Sequence, residues 1–198
     1  MQWIDNEPGA DAFEVKVSEL LVATADESDR LIDNSVPQVL KLLRDRMKMD
    51  VVFVSEFTGG QRVFRQVEQA PGLEVIAAGG SDPLESTWCQ RVVDGRLPEL
   101  MPDARPFIMS GAAPAAPFPI GTHLSTPIVL ENGDVYGTLC CFSFGVNEGV
   151  NEGDLKKLRY SAQLTAQKID RSRKQAESMA LEPIEEPEFR AADLRPRS

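Results

Sequence analysis

Few side chains in this sequence have the chemistry to do more than pack. Three are cysteines, Cys89, Cys140 and Cys141, and one is the single histidine, His123. One histidine leaves two-histidine metal motifs and the hydrolytic triad without their parts. No glycine-rich loop followed by Lys-Ser or Lys-Thr is present to cradle phosphate, and Gly79-Gly80 reads as a turn. Thiol redox chemistry needs a thiolate nucleophile and a resolving thiol within reach. Cys140 and Cys141 are adjacent in an apolar run, point to opposite faces and read as small buried hydrophobes, which leaves Cys89. Ser86, Thr87, Ser125 and Thr126 can hydrogen-bond a polar ligand or serve as ordinary core and surface hydroxyls. Binding is the chemistry these residues favour, with aromatic groups supplying area and a few polar groups orienting a ligand. The residues expected to line such a pocket are Phe53, Phe64, Trp88, Cys89, His123 and Ser125.

The clearest element available to position them is a β-hairpin over residues 123–144. Asn132-Gly133 between two apolar arms predicts a type I′ turn. The arms are apolar at nearly every residue, so both faces of the hairpin must be covered. Gly137 permits close approach of another backbone or a ligand. Upstream, Val51-Val52-Phe53-Val54-Ser55-Glu56-Phe57 predicts a buried strand and Gly59-Gly60 a reversal. Val63, Arg65 and Val67, alternating with Phe64 and Gln66, predict a second strand nearer an edge. Residues 73–78 read as a short third strand. Asp82 as N-cap, Pro83 and Glu85 then predict a helix carrying Leu84, Trp88 and Val92 on one face and ending at Gly95. Residues 97–101 are strand-like, and the proline-rich stretch 102–121 reads as a loop.

Long helices are expected toward both ends. One starts at a Ser35 cap with Pro37 in its first turn and carries Val36, Leu40, Leu43 and Met47 as an apolar stripe to about residue 48. The other starts at an Asn151 cap, carries Leu155, Leu158, Ala162, Thr165 and Ile169, and runs to about residue 180. Residues 1–25 read as an N-terminal extension leaning to helix, 26–180 as the domain, and 181–198 as a disordered tail. The pocket is expected between the front of the sheet and a lid formed by residues 82–122.

Composition bounds the partners. With 31 acidic against 21 basic residues, the formal charge of −10 opposes binding to a phosphate backbone, so no nucleic acid is expected. The sequence has no long uncharged apolar run and no basic, apolar start, so neither a membrane span nor a signal peptide is expected and the location expected is cytoplasmic. Three cysteines form no disulfide framework and fit a reducing compartment. The first 35 residues are strongly acidic and residues 151–175 are basic, which places the two ends side by side in one reading and as separately solvated faces in the other. The terminal helix is longer than a small core requires, and pairing with a second copy would bury its surplus.

In order, the elements run helix, two-strand hairpin, short strand, capped helix, strand, loop, long apolar hairpin and long terminal helix. That order resembles GAF domains over about residues 35–175, through the first strand from Met49 to Phe57, the capped helix with Gly95 and Leu97-Pro98, and Ser125-Thr126-Pro127-Ile128 leading to Gly137-Thr138-Leu139-Cys140. The resemblance implies an α+β, GAF/PAS-like fold: a central antiparallel sheet, terminal helices on one face and a pocket lid on the other. It implies a bacterial-type sensory or regulatory module that binds a small molecule and acts in signal transduction as a homodimer, with a separate effector protein. A ligand-free dimerisation module is the alternative; less favoured is an enzyme like the free methionine-R-sulfoxide reductases, using Cys89. Those enzymes carry a further cysteine in the loop before the central hairpin, and residues 102–124 hold none, which also argues against a covalent bilin. Haem-binding relatives use a histidine just ahead of the hairpin, where His123 stands and is read as a strand-end residue. Cyclic-nucleotide binders carry a Phe where Val150 stands and Asp-Glu where Asp154-Leu155 stands. No cofactor is named by either line of reasoning.

Overall fold

The computed structural model describes residues 8–22 and 29–181. At its centre stand β5 (Thr122–Val129) and β6 (Val135–Ser143), the long apolar hairpin, with β6 paired antiparallel to β1 (Val51–Thr58) and β1 to β2 (Gln61–Gln69). The short strands β3 (Ser81–Pro83) and β4 (Leu100–Met101) close the two edges, giving one six-stranded sheet in the order β3-β2-β1-β6-β5-β4. The helices are α1 (Pro8–Val22), α2 (Asp29–Met47), α3 (Trp88–Val93), α4 (Arg105–Met109) and α5 (Glu152–Leu181).

Alternation along the central strands divides the core into two layers. Val52, Val54, Leu124, Leu139 and Cys141 face α1, α2 and α5, whereas Val51, Phe53, Cys140 and Phe142 face α3 and the segment that follows it. The sequence-adjacent Cys140 and Cys141 thus belong to opposite layers. Gly137 lies where β6 crosses β1, and a Cβ there would meet the carbonyl oxygen of Ser55 at 1.9 Å. The approach it permits is by backbone, not ligand.

The helical layer begins earlier than the sequence suggested. Phe13, Val17 and Leu21 of α1, in the expected N-terminal extension, are buried against the other helices, and Ser18 Oγ lies 2.6 Å from the Tyr160 hydroxyl of α5. Helix α1, from the acidic front of the chain, therefore lies beside α5 from its basic rear. Ser35 does not cap α2, which starts at Asp29, so Pro37 is inside the helix. Ser35 is buried and accepts a hydrogen bond from Lys168 of α5; a tertiary partner has claimed the hydroxyl that the cap reading assigned to backbone. The start of α5 is as expected: Asn151 Oδ1 accepts from Gly153 N at 2.8 Å while Asn151 N donates to Asp154 Oδ2 at 3.2 Å. Part of the expected tail, residues 182–198, lies outside the described residues, as do residues 1–7 and 23–28.

Four further corrections concern turns and edges. At the central hairpin only Gly133 has a positive φ, 88°, so the turn is not type I′; Gly133 N donates to Leu130 O and the register shifts at Ile128/Val129. Both residues of the Gly59-Gly60 loop do have positive φ, 57° and 73°, as a type I′ turn requires. Residues 73–78 form no strand. Gln69 Oε1 accepts from Val75 N at 2.9 Å and Gln69 Nε2 donates to Ile76 O at 3.0 Å, so one side chain satisfies the backbone that a neighbouring strand would have paired. Asp82 is not an N-cap but sits in β3 opposite Arg62. The chain then makes a 3₁₀ turn, and α3 starts only at Trp88, capped by Thr87 Oγ1 accepting from Gln90 N at 3.2 Å. Within the proline-rich loop, Asp103 accepts from the backbone N of Arg105, the first residue of the five-residue α4. Among the described residues no helix is long and apolar enough to cross a membrane.

Candidate functional site

A cavity of about 440 Å³ opens between the front of the sheet and the segments 75–88 and 114–120. Its floor comes from β1, β2, β5 and β6 through Phe53, Phe64, His123 and Phe142, and its roof from Trp88 and Phe118. The rings interlock: Phe53 meets Phe64 edge-on at 5.0 Å, Phe118 stacks on Phe142 at 5.2 Å, and Trp88 tilts over His123 at 5.1 Å. Trp88 Nε1 donates to Pro114 O at 2.9 Å, which fixes the indole and ties α3 to the proline-rich loop.

One charge enters this apolar chamber. Arg62 is nearly buried, its guanidinium carbon 4.4 Å from the Phe64 ring centre and 5.7 Å from that of Phe53. It is ion-paired to the half-exposed Asp82, and Arg62 Nη1 lies 3.5 Å from Cys89 Sγ. Two buried polar atoms at the cavity, Arg62 Nε and His123 Nδ1, have no hydrogen-bond partner among the described residues. Burial, and secondarily the neighbouring Arg62 charge, push the His123 pKa from 6.5 down to about 3.

The fold recurs in solved structures. Superposition on the GAF domain of a phosphoenolpyruvate-protein phosphotransferase from Coxiella burnetii gives a TM-score of 0.68 at 15% identity, over 87% of this chain and 99% of that one. The chain has the GAF fold. Two other GAF-fold structures align over nearly their full length. Free methionine-R-sulfoxide reductase from Neisseria meningitidis, in complex with its substrate, gives a TM-score of 0.63 at 14% identity, over 88% of this chain and 98% of that one. The phycoerythrobilin-bound GAF domain of a cyanobacterial phytochrome gives 0.62 at 10%, over 85% and 98%. No protein-family model matches the sequence, nor does the sequence of any curated protein.

Of the six residues singled out from sequence, the fold places Phe53, Phe64, Trp88 and His123 in the cavity wall. Cys89 and Ser125 lie outside the lining, in a buried polar cluster. Cys140 Sγ is 3.4 Å from Cys89 Sγ, 2.9 Å from Ser125 Oγ and 3.1 Å from Thr138 Oγ1. Thr138 Oγ1 is in turn 2.9 Å from Ser55 Oγ. Cys140 is thus hydrogen-bonded, and a second thiol reaches Cys89 from a strand although the loop supplies none. Arg62 was missed. It follows the Gly59-Gly60 reversal, where a charged residue reads as the solvated end of a hairpin, and only the pairing Arg62↔Asp82 shows that it has turned inward.

The depressed His123 pKa carries a stability prediction. Folded His123 stays neutral down to about pH 3, whereas the unfolded imidazole takes up its proton near 6.5. Between those values the unfolded chain binds the extra proton, so this contribution is complete above about pH 6.5 and is lost as the pH falls, at up to about 1.4 kcal/mol per pH unit. Urea denaturation of wild type and His123→Gln at about pH 7 and about pH 5 should show a smaller acid loss in the variant. Equal losses would mean that His123 is not held neutral.

Proposed function

We propose that this GAF domain is a small-molecule sensor acting in signal transduction as a homodimer. The observation that carries the reading is the front cavity, whose volume of about 440 Å³ falls within the range of small-ligand sites and whose buried Arg62 Nε and His123 Nδ1 lack partners. Unsatisfied buried polar atoms are costly, and a ligand with an apolar, planar body and one acceptor group, such as a carboxylate, would satisfy the guanidinium while stacking among the rings. The reading draws further support from the neighbours of the same fold, one described as bilin-bound and one as complexed with its substrate. The helical face is the proposed dimer surface, because residues 173–180 of α5 are exposed and Met179 stands 63% exposed on them. An effector would then be a separate protein that reads the helical bundle.

Native mass spectrometry of freshly purified protein tests both parts. The expected result is a dimer mass carrying a retained small molecule, or one that acquires it from a metabolite extract. A dimer that stays empty in every extract would favour the ligand-free dimerisation module, and a monomer would contradict the proposed mode of signalling.

A further inference from the structure

Beyond ligand binding, the buried thiols carry an inference that does not require the cavity to be occupied. We propose that Cys89 and Cys140 form a redox-active dithiol that closes to a disulfide on exposure to hydroperoxides. The two sulfurs, one on α3 and one on β6, are in contact at 3.4 Å, whereas cysteines serving only as small hydrophobes would find apolar neighbours. Here Arg62 approaches Cys89 while Ser125 and Thr138 flank Cys140. The arrangement divides the labour between the sulfurs. The hydrogen bond with Cys140, opposed by burial, and then the charge of Arg62 lower the Cys89 pKa from the ordinary thiol value. Burial, followed by the hydrogen bond and charge of Cys89, pushes Cys140 well above the ordinary thiol range. With the Arg62 guanidinium 3.5 Å from its sulfur, Cys89 is the nucleophile and Cys140 the resolving thiol. Both are buried, and because Arg62 is at once part of the cavity wall and a neighbour of Cys89, the path proposed for peroxide runs from the cavity past Arg62.

The chemistry balances with one molecule of hydrogen peroxide as oxidant, an organic hydroperoxide releasing an alcohol in place of the first water. The Cys89 thiolate attacks the terminal peroxide oxygen; an S–O bond forms, the O–O bond breaks, and hydroxide leaves, taking up the proton that Cys89 had released. The product is a Cys89 sulfenic acid and, for hydrogen peroxide, one water. The Cys140 sulfur then attacks the Cys89 sulfur, the S–S bond forms, the S–O bond breaks, and the departing hydroxide removes the Cys140 proton as a second water. Two thiols lose two electrons and two protons, and the peroxide is reduced to two waters. Cys141, on the other face of the sheet with its thiol pushed up mainly by burial, has no part in this.

The test treats the reduced full chain with hydrogen peroxide, removes the excess, blocks remaining thiols with an alkylating agent in denaturant, and maps the cysteines by peptide mass spectrometry. The expected product links Cys89 to Cys140, leaves Cys141 alkylated, and reverts with dithiothreitol. Cys141→Ser should give the same link at the same rate. Cys140→Ser should give none and instead accumulate a Cys89 sulfenic acid that dimedone traps. Arg62→Ala should slow the oxidation roughly tenfold near neutral pH, and Arg62→Lys, which keeps the charge, should slow it less. Three alkylated cysteines after peroxide, a link to Cys141 as frequent as to Cys140, or an Arg62→Ala rate equal to wild type would each overturn the proposal.

Discussion

Replacing Gly137 by alanine is expected to leave the protein unfolded or insoluble. The added Cβ would lie 1.9 Å from Ser55 O and 2.7 Å from Ser55 C, and both obstacles are backbone of the adjacent central strand. A flexible side chain could swing aside from such a contact, but β1 cannot retreat without breaking its ladder to β6 or to β2. Separating them costs about 4 kcal/mol or more, a large share of the stability of a domain this size. Gly145 is the matched control. It is exposed, has no positive φ, and a Cβ there meets nothing within 4 Å, so Gly145→Ala should change the urea midpoint little. If Gly137→Ala expresses and unfolds like wild type, β1 does not pack this closely against β6.

The second large effect is expected at Trp88. This side chain is 6% exposed, covers the His123 ring and anchors the proline-rich segment through Pro114 O. Trp88→Ala should cost about 3 kcal/mol of stability, since the indole borders a cavity on one side and packs on the other. The same change should weaken binding of any small molecule found in the cavity by roughly thirtyfold or more, because it removes the roof aromatic group and frees the loop that holds Phe118 over the ligand. Trp88→Phe separates the two contributions. It keeps a ring over His123 but loses the hydrogen bond to Pro114, and should cost about 1 kcal/mol of stability with a smaller loss of affinity. Calorimetric titration of the three proteins reads the affinities, and urea denaturation reads the stabilities.

The parts of the fold that were legible in the sequence are those whose residues carry a local signal. The central hairpin announced itself because both arms are apolar at almost every position, and α5 because Asn151 and Asp154 cap it reciprocally. The edges were illegible. The strand β3 has three residues and no apolar pattern, and what defines it is pairing with β2. Asp82, Pro83 and Glu85 have the types of a helix start, yet Arg62 recruits Asp82 into an ion pair and the cap falls to Thr87. Of the four candidate residues in the cavity wall, Phe53, Phe64 and His123 face it because strand alternation is readable once a strand is found, and Trp88 reaches it from the start of α3. Ser125 obeys the same alternation but is covered by Cys140, and Cys89 lies on the buried side of α3. The contacts Arg62 to Asp82 and Cys89 to Cys140 join residues 20 and 51 positions apart, and no spacing rule within one element reaches them.

The central claim, that the front cavity holds a small molecule, is tested most directly by the emission of Trp88. With Trp3 replaced by phenylalanine a single indole reports, and it sits in the cavity roof. Titrating the small molecule recovered from native mass spectrometry into protein stripped of it should shift or quench Trp88 emission in a saturable way, and the midpoint should match the calorimetric dissociation constant. Saturable binding by calorimetry with no change in Trp88 emission would contradict the account and place the ligand elsewhere on the domain.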